Sequence, residues 1–497
     1  MLDIVRAARG SDIRRQIMAE KKNIRKVEPR ILKGFRDYPP EQEIARQRLL
    51  EKTRTIYERH GFLPLQTPAL EYAETLLGGD YTTDNLKELF GFHGPDEVDM
   101  ALRYEFTVSL ARYIACNPEL ALPFRRYQYG PVWRVDKPGP GRYREFMQCD
   151  FDIVGTSSML ADAEIISVMV EVLDYLGIKN FVVRYSNRKI LNGLAKFAGI
   201  PDEKITDVFR VIDKLEKQGR EAVLLELGPG RTDKSGDKIP GLNLSEKQIG
   251  LLNDFLHIAQ DSGSDKLAEA ERLLGNIEIS KQGIDELREI QQYLIQMGTA
   301  PDKTQIDITI VRGLGYYTGP VYETTLLSLP EYGSVFSGGR YDNLIERFSN
   351  KSLPATGTSF GVDRMLAALI ELKAVELKRA TSGVLVTTMD KARIADYIAI
   401  VNEIRSAGIN AELFMGETKN LNKQLRYADR VGIPLAVIAG SDEFDSGTVT
   451  IKDLRVGSEV AKGVSDREDW LKAENVQSVV KRGEMVAHLK KLLSIEP

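Results

Sequence analysis

Residues 123–155 read PFRRYQYGPVWRVDKPGPGRYREFMQCDFDIVG, and no other part of the chain predicts its structure so directly. Polar and apolar residues alternate on both sides of a Pro/Gly-rich segment at 138–141, which predicts two strands joined by a loop. Side chains two positions apart in a strand share a face. The mostly polar face of the second strand carries Phe146, Gln148, Asp150 and Asp152. Its other face is apolar and carries Met147, Cys149, Phe151 and Ile153.

The first strand and the loop add positive charge to this hairpin. The same period of two brings Arg126, Gln128 and Arg134 together, and the loop adds Lys137 and Arg142. Arginine binds phosphate through a planar fork of donors, and a row of carboxylates can hold a cation or an imidazole. The hairpin therefore suits a zwitterion bound beside a nucleotide. A surface hairpin with a solvated face fits the same alternation.

Composition limits the classes of protein that the chain can belong to. At 497 residues it is too long for one ordinary core, so two or three domains are expected. Its 68 basic and 72 acidic residues leave a net charge of −4, so a nucleic acid would be held by local basic patches. The two cysteines and four histidines lack metal-ligand spacing, so we expect no protein-only metal site. No apolar run approaches the roughly 20 residues of a membrane span, and we expect a cytoplasmic protein without a membrane partner.

A second polar motif, LRYEFT, occupies residues 102–107. Glu105 and Thr107 lie two apart, and at the end of a strand a carboxylate and a hydroxyl so placed can hold an ammonium group. A salt bridge from Glu105 to Arg103 or Arg112, with Thr107 capping the next helix, explains the motif equally well.

A third dense stretch starts at Gln305. An alternating strand through Ile310 is interrupted by RGLGYYTG at 312–319 and resumes at Val321. Glycines let a backbone pass close to a ligand, and Arg312 can stabilise charge developing on a phosphoryl group. The neighbouring tyrosines, Tyr316 and Tyr317, offer flat walls and hydroxyl groups. A bulged hairpin with core tyrosines is the alternative interpretation.

Two further glycine motifs follow. SGGRYD at 337–342 predicts a glycine turn at the head of a helix. GTSFGVDR at 357–364 leads into an apolar helix and places Arg364 in its first turn. The start of a helix offers free N–H groups and a positive dipole end, so Arg364 marks a possible anion site.

The remaining segments indicate how the chain is divided into domains and carry no catalytic motif. Residues 190–300 are charged and helical in period, and carry no catalytic constellation. From Gly383 strands and helices alternate, which predicts a separate α/β domain, and it lacks the glycine fingerprints of nucleotide-binding folds. Its basic residues at near-helical spacing could bind an RNA backbone or form a solvated face: Lys419, Lys423, Arg426 and Arg430. The tail at 466–497 predicts one or two amphipathic helices.

Taken together, these motifs resemble a known family. WRVDKPGPGRYREF at 133–146 and GTSFGVDRM at 357–365 resemble motifs 2 and 3 of the class II aminoacyl-tRNA synthetases. LRYEFT, RGLGYYTG and SGGRYD resemble signatures of the histidyl-tRNA synthetases in particular. The match covers about residues 33–462. One position departs from it, because the family usually has Asp where this chain has Gly315.

The resemblance implies an α+β fold with a six-stranded antiparallel catalytic core, a helical insertion and a C-terminal α/β anticodon-binding domain. The implied divisions are an N-terminal arm (1–30), a catalytic domain (31–378, with the insertion at about 190–300), the anticodon-binding domain (381–465) and a helical tail (466–497). It also implies a homodimer whose interface lies around residues 41–68.

The implied reaction joins L-histidine and ATP into histidyl-adenylate and pyrophosphate, and then transfers histidine to the 3′ ribose of its tRNA with release of AMP. Mg²⁺ would accompany the ATP phosphates. Two alternatives share the fold. One is a catalytically inactive paralogue that serves as the histidine-binding regulatory subunit of ATP phosphoribosyltransferase, and the other is a class II synthetase for another amino acid.

The resemblance also implies roles for single residues. The positions that match the α-amino site are Glu105, Thr107 and Gln148. Those that match the imidazole pocket are Asp152 and Tyr317, with Tyr316. Those that match the ATP site are Arg134 on the α-phosphate, Arg142 in the loop over ATP, Phe146, and Arg364 of motif 3. Arg312 matches an arginine that takes the place of a metal ion in related enzymes, so Arg134 and Arg312 would be catalytic. The implied histidine-binding set also includes Phe106, Arg134 and Arg312.

Overall fold

The computed structural model describes residues 27–78, 89–94, 97–139, 141–232, 236–260, 265–310, 316–455 and 477–494. The chain divides into two units, Met1–Asp37 and Tyr38–Pro497, and all the elements below belong to the second. Within the described ranges, no helix is both long enough and apolar enough to cross a membrane.

The first elements are a helix, an edge strand of the main sheet, a separate three-stranded sheet and two further helices. In chain order they are α1 (Pro40–Arg59), β1 (Leu63–Pro64), β2 (Leu70–Tyr72), α2 (Ala73–Leu77), β3 (Gly91–His93), β4 (Asp99–Leu102) and α3 (Thr107–Cys116). A proline at its first position, followed by Glu41 and Glu43 in its first turn, starts α1. Strand β4 ends at Leu102, so the predicted strand end at 103–107 is wrong. The reason is that the Glu105 carboxylate accepts hydrogen bonds from the first N–H groups of α3.

The predicted hairpin is confirmed as β5 (Phe124–Trp133) and β6 (Glu145–Val154). The two strands are antiparallel and in continuous register, with Arg126 opposite Asp152 and Gln128 opposite Asp150. The apolar face of β6 is buried against α1, where the Phe151 ring lies 4.5 Å from that of Tyr57. The polar face is thereby left to the other side of the sheet.

The next segment is mostly helical. Its elements are α4 (Met159–Tyr175), β7 (Phe181–Asn187), α5 (Arg188–Phe197), α6 (Asp202–Ile212), α7 (Leu215–Gln218), α8 (Arg220–Leu227), β8 (Gly230–Thr232), β9 (Lys238–Pro240), α9 (Glu246–Gln260), α10 (Lys266–Leu274) and α11 (Glu278–Gln296). The helical period expected for 190–300 is therefore present, with the small hairpin β8–β9 inside it. That this segment is a separate inserted domain stays a prediction.

The chain then returns to the main sheet through β10 (Thr304–Ile306), β11 (Pro320–Leu326), β12 (Ser334–Arg340), β13 (Ala355–Gly361) and α12 (Val362–Glu371). In the described part, the sheet has the order β1-β5-β6-β13-β12-β11-β7-β10. Its six inner strands are antiparallel, and the short strand at each edge runs parallel to its neighbour. The predicted antiparallel core is confirmed.

Two predictions in this region are wrong. The strand from Gln305 ends at Ile306 rather than Ile310. SGGRYD is not a turn before a helix, because Gly338 and Gly339 lie inside β12. A Cβ atom on Gly338 would lie 2.1 Å from the carbonyl oxygen of Gly357 on β13. The glycine is therefore required by the close approach of two strands and not by a turn.

The C-terminal part forms a second sheet. Its elements are β14 (Val384–Val386), α13 (Ile394–Ser406), β15 (Ala411–Leu413), α14 (Leu421–Val431), β16 (Leu435–Ile438), α15 (Ser441–Ser446), β17 (Thr448–Asp453), β18 (Gln477–Lys481) and α16 (Met485–Leu493). The sheet order is β15-β14-β16-β17-β18, with the first three strands parallel and the others antiparallel.

The predicted helical tail is correct for α16 but wrong for residues 477–481. These residues form β18, which pairs with the edge strand β17. The residues alternate between exposed and half-buried, which suits a strand that covers an open sheet edge. The division between the domain and the tail stays a prediction, and residues 466–476 lie outside the described part.

Candidate active site

A cavity of about 430 Å³ lies on the polar face of the main sheet. That volume lies within the range of small-molecule sites, which are typically about 300–1,000 Å³. Most of the predicted site residues line it: Glu105, Thr107, Arg134, Arg142, Phe146, Gln148, Asp152, Tyr316, Tyr317 and Arg364. Phe106 does not, because its ring is fully buried beneath the guanidinium of Arg103, 4.6 Å away. Arg312 and Gly315 lie outside the described residues.

One end of the cavity is bounded by the start of α3. Oε2 of Glu105 accepts a 2.7 Å hydrogen bond from the backbone N–H of Thr107, and Oε1 accepts another from Val108. These bonds fix the carboxylate in one position, since both donors belong to the rigid first turn of the helix. The Tyr316 hydroxyl also donates to Oε2, at 3.4 Å. The helix-capping interpretation of this motif is therefore correct in form, with glutamate rather than threonine as the cap.

Asp152 is held by two buried side chains. The Tyr341 hydroxyl donates to its Oδ1 at 2.5 Å, and Nη2 of Arg126 lies 2.8 Å from its Oδ2. Arg126 is fully buried and does not line the cavity, so its charge compensates Asp152 from behind. Burial raises the pKa of Asp152, whereas Arg126 and Tyr341 act in the opposite direction. The sequence motifs assign no role to either Arg126 or Tyr341.

The absence of a side chain at Gly357 leaves space for the Asp152 carboxylate. Gly357 lies opposite Asp152 on the neighbouring strand β13. A Cβ atom at Gly357 would lie 2.0 Å from Oδ1 of Asp152, which is closer than any real contact. Glycine is therefore the residue that allows this carboxylate to lie flat against the sheet.

Two tyrosines form an aromatic wall next to Asp152. The rings of Tyr316 and Tyr317 meet edge to face at 5.0 Å, and Tyr316 meets Tyr341 in the same way at 5.9 Å. Burial raises the pKa of both the Tyr316 and the Tyr317 hydroxyl, so both remain protonated at neutral pH. They can therefore donate hydrogen bonds to a planar ring with nitrogen acceptors.

Arginines line the opposite end of the cavity. Nε of Arg134 donates to the carbonyl oxygen of Tyr104 at 3.0 Å, and its guanidinium lies 5.2 Å from the Phe146 ring centre. Arg142 donates to Asp136 at 2.7 Å, and Arg364 donates to the carbonyl oxygen of Ser334 at 2.5 Å. As predicted, Arg364 lies in the first turn of α12. Three guanidinium groups at one end suit a polyphosphate.

Asp150 also lines the cavity, between Gln148 and Asp152 on β6, and the sequence motifs assign it no role. It is 4 % exposed. Burial raises its pKa to about 8, even though the charge of Arg126 acts in the opposite direction. The period of the strand indicates its position on the polar face, whereas its burial depends on neighbouring strands that are distant in sequence.

With this geometry established, comparison with known proteins decides the family. Residues 34–365 match the family model described as histidyl-tRNA synthetase, and residues 383–474 match the one described as anticodon binding domain. The chain belongs to the histidyl-tRNA synthetase family. The histidine–tRNA ligase of Cereibacter sphaeroides is 41% identical over 96% of this chain and 100% of the relative. That of Ruegeria pomeroyi is 43% identical over 96% and 99%.

A solved structure agrees with this assignment. The crystal structure of histidyl-tRNA synthetase from Nostoc sp. PCC 7120 superposes with a TM-score of 0.78 at 30% identity, covering 94% of this chain and 100% of that one. The predicted fold class and the enzyme class, histidine–tRNA ligase, are therefore confirmed. The regulatory-subunit alternative is not favoured, because curated relatives that span nearly the whole chain are ligases.

Proposed function

We propose that this synthetase forms histidyl-adenylate in the 430 Å³ cavity, using the residues implied by its sequence motifs. The observation that carries the proposal is the separation of charge along the cavity. The carboxylates of β6 and the tyrosine hydroxyls line one part of it, and three arginines line the part next to the hairpin loop and the start of α12, where the lining carboxylate Asp136 is already paired with Arg142. A zwitterionic amino acid with an imidazole ring fits the first end, and the phosphates of ATP fit the second.

The amino-acid end would recognise histidine through two separate groups. Glu105, Thr107 and Gln148 would bind the α-ammonium group, and all three line the cavity. The imidazole would donate to Asp152 and accept from Tyr317, whose buried hydroxyl remains protonated. Amino acids that lack these ring nitrogens would leave buried polar groups unpaired, which can discriminate by a factor of about 10⁴–10⁵. Phe106 would support this end from behind, since it lies outside the cavity.

The phosphate end would stabilise the charge that develops in the reaction. A carboxylate oxygen of histidine attacks the α-phosphorus of ATP, a new P–O bond forms, and the bond to the pyrophosphate oxygen breaks with its electron pair. Negative charge grows on the non-bridging oxygens, where Arg134 and Arg312 would meet it. Arg142 and Arg364 would hold the outer phosphates, with Phe146 beside the nucleotide. In the second step, a ribose hydroxyl at the 3′ end of tRNA attacks the histidyl carbonyl and AMP leaves.

Mg²⁺ fits this cavity as a companion of ATP. Among the described residues, no group of three or more His, Cys, Asp or Glu side chains could hold a metal ion by itself. One carboxylate on β11, Glu323, lines the cavity. Mg²⁺ commonly binds through one or two carboxylates together with substrate phosphates, so Glu323 is the residue that would hold it. The ion would neutralise part of the phosphate charge.

The proposed assembly is a homodimer that acts on histidine tRNA in the cytoplasm. Apolar side chains are exposed close to the predicted interface at 41–68: Leu63 is 58% exposed and Tyr72 is 58% exposed. A partner that covered these side chains would remove apolar surface from water. The C-terminal domain would bind the anticodon part of the tRNA, in keeping with the family model that it matches.

Exchange of pyrophosphate into ATP, measured with each proteinogenic amino acid in the absence of tRNA, tests the proposal. We expect exchange that depends on histidine alone, which would also show that Gly315 is tolerated. If the purified protein binds histidine but supports exchange with no amino acid, the proposal fails. Light scattering of the same preparation gives the oligomeric state, and a monomer at micromolar concentration would contradict the homodimer.

A further inference from the structure

The amino-acid end of the cavity contains three carboxyl groups, and two of them already have protein partners. Both oxygens of Glu105 accept backbone hydrogen bonds from α3. Those of Asp152 are occupied by Tyr341 and Arg126. Asp150 differs from both, because its Oδ1 makes no hydrogen bond among the residues that the structure describes, although the Ser359 hydroxyl opposite it on β13 is close enough to turn toward it. Oδ2 of Asp152 also makes no hydrogen bond within the described residues, but the Arg126 guanidinium 2.8 Å away forms an ion pair with it.

A second buried acceptor without a hydrogen-bond donor lies next to Asp150. Oε1 of Gln148 is buried and, within the described residues, also has no donor. Gln148 and Asp150 are two apart on β6, so their side chains share the face that lines the cavity. Gln148 is 7% exposed and Asp150 is 4% exposed. Buried acceptors without donors are rare in native proteins, and two of them side by side indicate the position of a ligand with several N–H groups.

We propose that Asp150 acts with Gln148 to bind the α-ammonium group of the substrate amino acid. This inference rests on the proposed function, because it adds a residue to the same amino-acid site. An ammonium group has three donors, so it can satisfy both acceptors and still donate to a third, the Glu105 carboxylate or the Thr107 hydroxyl. Positions two apart on a strand are about 6.6 Å apart along its axis, a gap that two hydrogen bonds of about 2.8 Å from one nitrogen nearly span.

The charges around Asp150 determine how its protonation would respond to this ligand. Arg126 faces it from β5, Asp152 lies on its own strand, and Arg103 and Glu105 face it from the segment before α3. Three further titratable groups interact with Asp150, namely Tyr57, Cys149 and Tyr317, and burial raises the pKa of each so that all three remain protonated at neutral pH. Burial outweighs these charges and raises the pKa of Asp150 to about 8, so at pH 7 the carboxyl is mostly protonated before the substrate binds. An ammonium group favours the ionised form, so its binding would release that proton.

Calorimetry with two ligands on the full-length wild-type protein tests this coupling. The ligands are L-histidine and 3-(imidazol-4-yl)propanoate, which keeps the ring and the carboxylate but lacks the ammonium group. Titration at pH 7 in buffers of different ionisation enthalpy gives the protons released per ligand bound. The rings of the two ligands differ in pKa, so the release expected from titration of each free ligand's own ring is subtracted first. We expect histidine then to release close to one proton more than the propanoate at pH 7. Equal release by the two ligands would overturn the proposal.

Asp150→Asn provides a second test, with Asp285→Asn on the exposed side of α11 as the charge-matched control. We expect Asp150→Asn to weaken histidine binding about 10–100-fold, the size of a lost charge-assisted hydrogen bond. Binding of the propanoate should change less than two-fold, and the extra proton release should disappear. Loss of affinity for both ligands to the same degree would overturn the proposal, since it would indicate a role in the ring pocket or in folding.

Failure of this inference can be separated from failure of the proposed function. If wild-type protein supports histidine-dependent exchange while Asp150→Asn binds histidine as tightly as wild type does, only the role of Asp150 is lost. If wild-type protein binds neither ligand and supports no exchange, the proposed site is wrong and the inference falls with it. Should Asp150→Asn not fold, the two-ligand comparison on wild type still decides.

Discussion

The hydroxyl of Tyr341 lies 2.5 Å from Oδ1 of Asp152, although the two residues are 189 positions apart along the chain. Arg126 holds the other oxygen of the same carboxylate. The pair holds Asp152 in one orientation, in which it would accept the imidazole N–H of the proposed substrate. Tyr341→Phe removes one of the two supports, so we expect the KM for histidine in pyrophosphate exchange to rise about 10-fold, as loss of one hydrogen bond to a charged group commonly does. The KM for ATP should stay within two-fold.

The comparison for that prediction is Asp152→Ala, which removes the carboxylate itself. It should raise the KM for histidine more than Tyr341→Phe does. It should raise the KM for ATP less than the KM for histidine. A variant in which both substrates are affected equally would contradict the assignment of Asp152 to the imidazole. A Tyr341→Phe protein with wild-type parameters would show that Arg126 alone fixes the carboxylate.

The second prediction concerns Gly357, whose Cβ would lie 2.0 Å from Oδ1 of Asp152. Gly357→Ala must displace the carboxylate or separate β13 from β6. We expect single-turnover adenylation to fall about 100-fold, because misplacement of a substrate-positioning group by about 1 Å can have that effect. Gly250→Ala in α9 is the matched control, since nothing lies within 4 Å of its Cβ position and alanine favours a helix. If both alanine variants adenylate at the wild-type rate, the contact is not restrictive.

These relationships show which parts of the site could be predicted from the sequence. The alternation along 145–154 correctly predicts a strand with one polar and one apolar face, because that pattern depends only on neighbours two positions apart. It cannot indicate that Asp152 meets Tyr341, since the contact depends on the order of strands in the sheet. The positions of Arg364 at the start of α12 and of the hairpin arginines follow from local rules of the same kind.

The wrong predictions have a common physical cause. Gly338 and Gly339 favour a turn by local rules, but their lack of side chains serves the packing of β12 against β13. The alternation at 102–107 places Glu105 on a strand end, but its carboxylate accepts the N–H groups of a helix start. The tail strand β18 pairs with an open edge at β17. In each case a tertiary contact decides between two local structures that the sequence permits.

The third prediction concerns Arg312. Its motif implies that it meets negative charge on the α-phosphate together with Arg134. Arg312→Ala should lower single-turnover adenylation about 10²–10³-fold, since removal of one preorganised donor commonly has that effect. Histidine affinity measured without ATP should change much less than that rate. Lys281→Ala, an exposed change on α11, controls for loss of a positive charge. Adenylation within a few-fold of wild type would remove Arg312 from the catalytic set.

The last prediction concerns pH and a charged cluster on the helical side of the sheet. Nε2 of His60 lies 2.7 Å from Glu171, and Nδ1 lies 3.5 Å from Glu164. Hydrogen bonds to Glu164 and Glu171 raise the pKa of His60 above 6.5, so its stabilising effect is complete below about 6.5 and is lost as the pH rises through the folded value. The pKa of Glu164 is lowered to about 2, so this partner stays ionised throughout that range.

His60→Gln is neutral at every pH. We therefore expect the variant to have a lower apparent Tm than wild type, and this difference to be about 2 °C larger at pH 5.5 than at pH 9. In a Glu171→Gln background the same His60 change should show a smaller dependence on pH, because one of the two carboxylates that hold the proton is gone. A difference that is constant from pH 5.5 to 9, or that grows as the pH rises, would show that this cluster does not stabilise the fold through a protonated histidine.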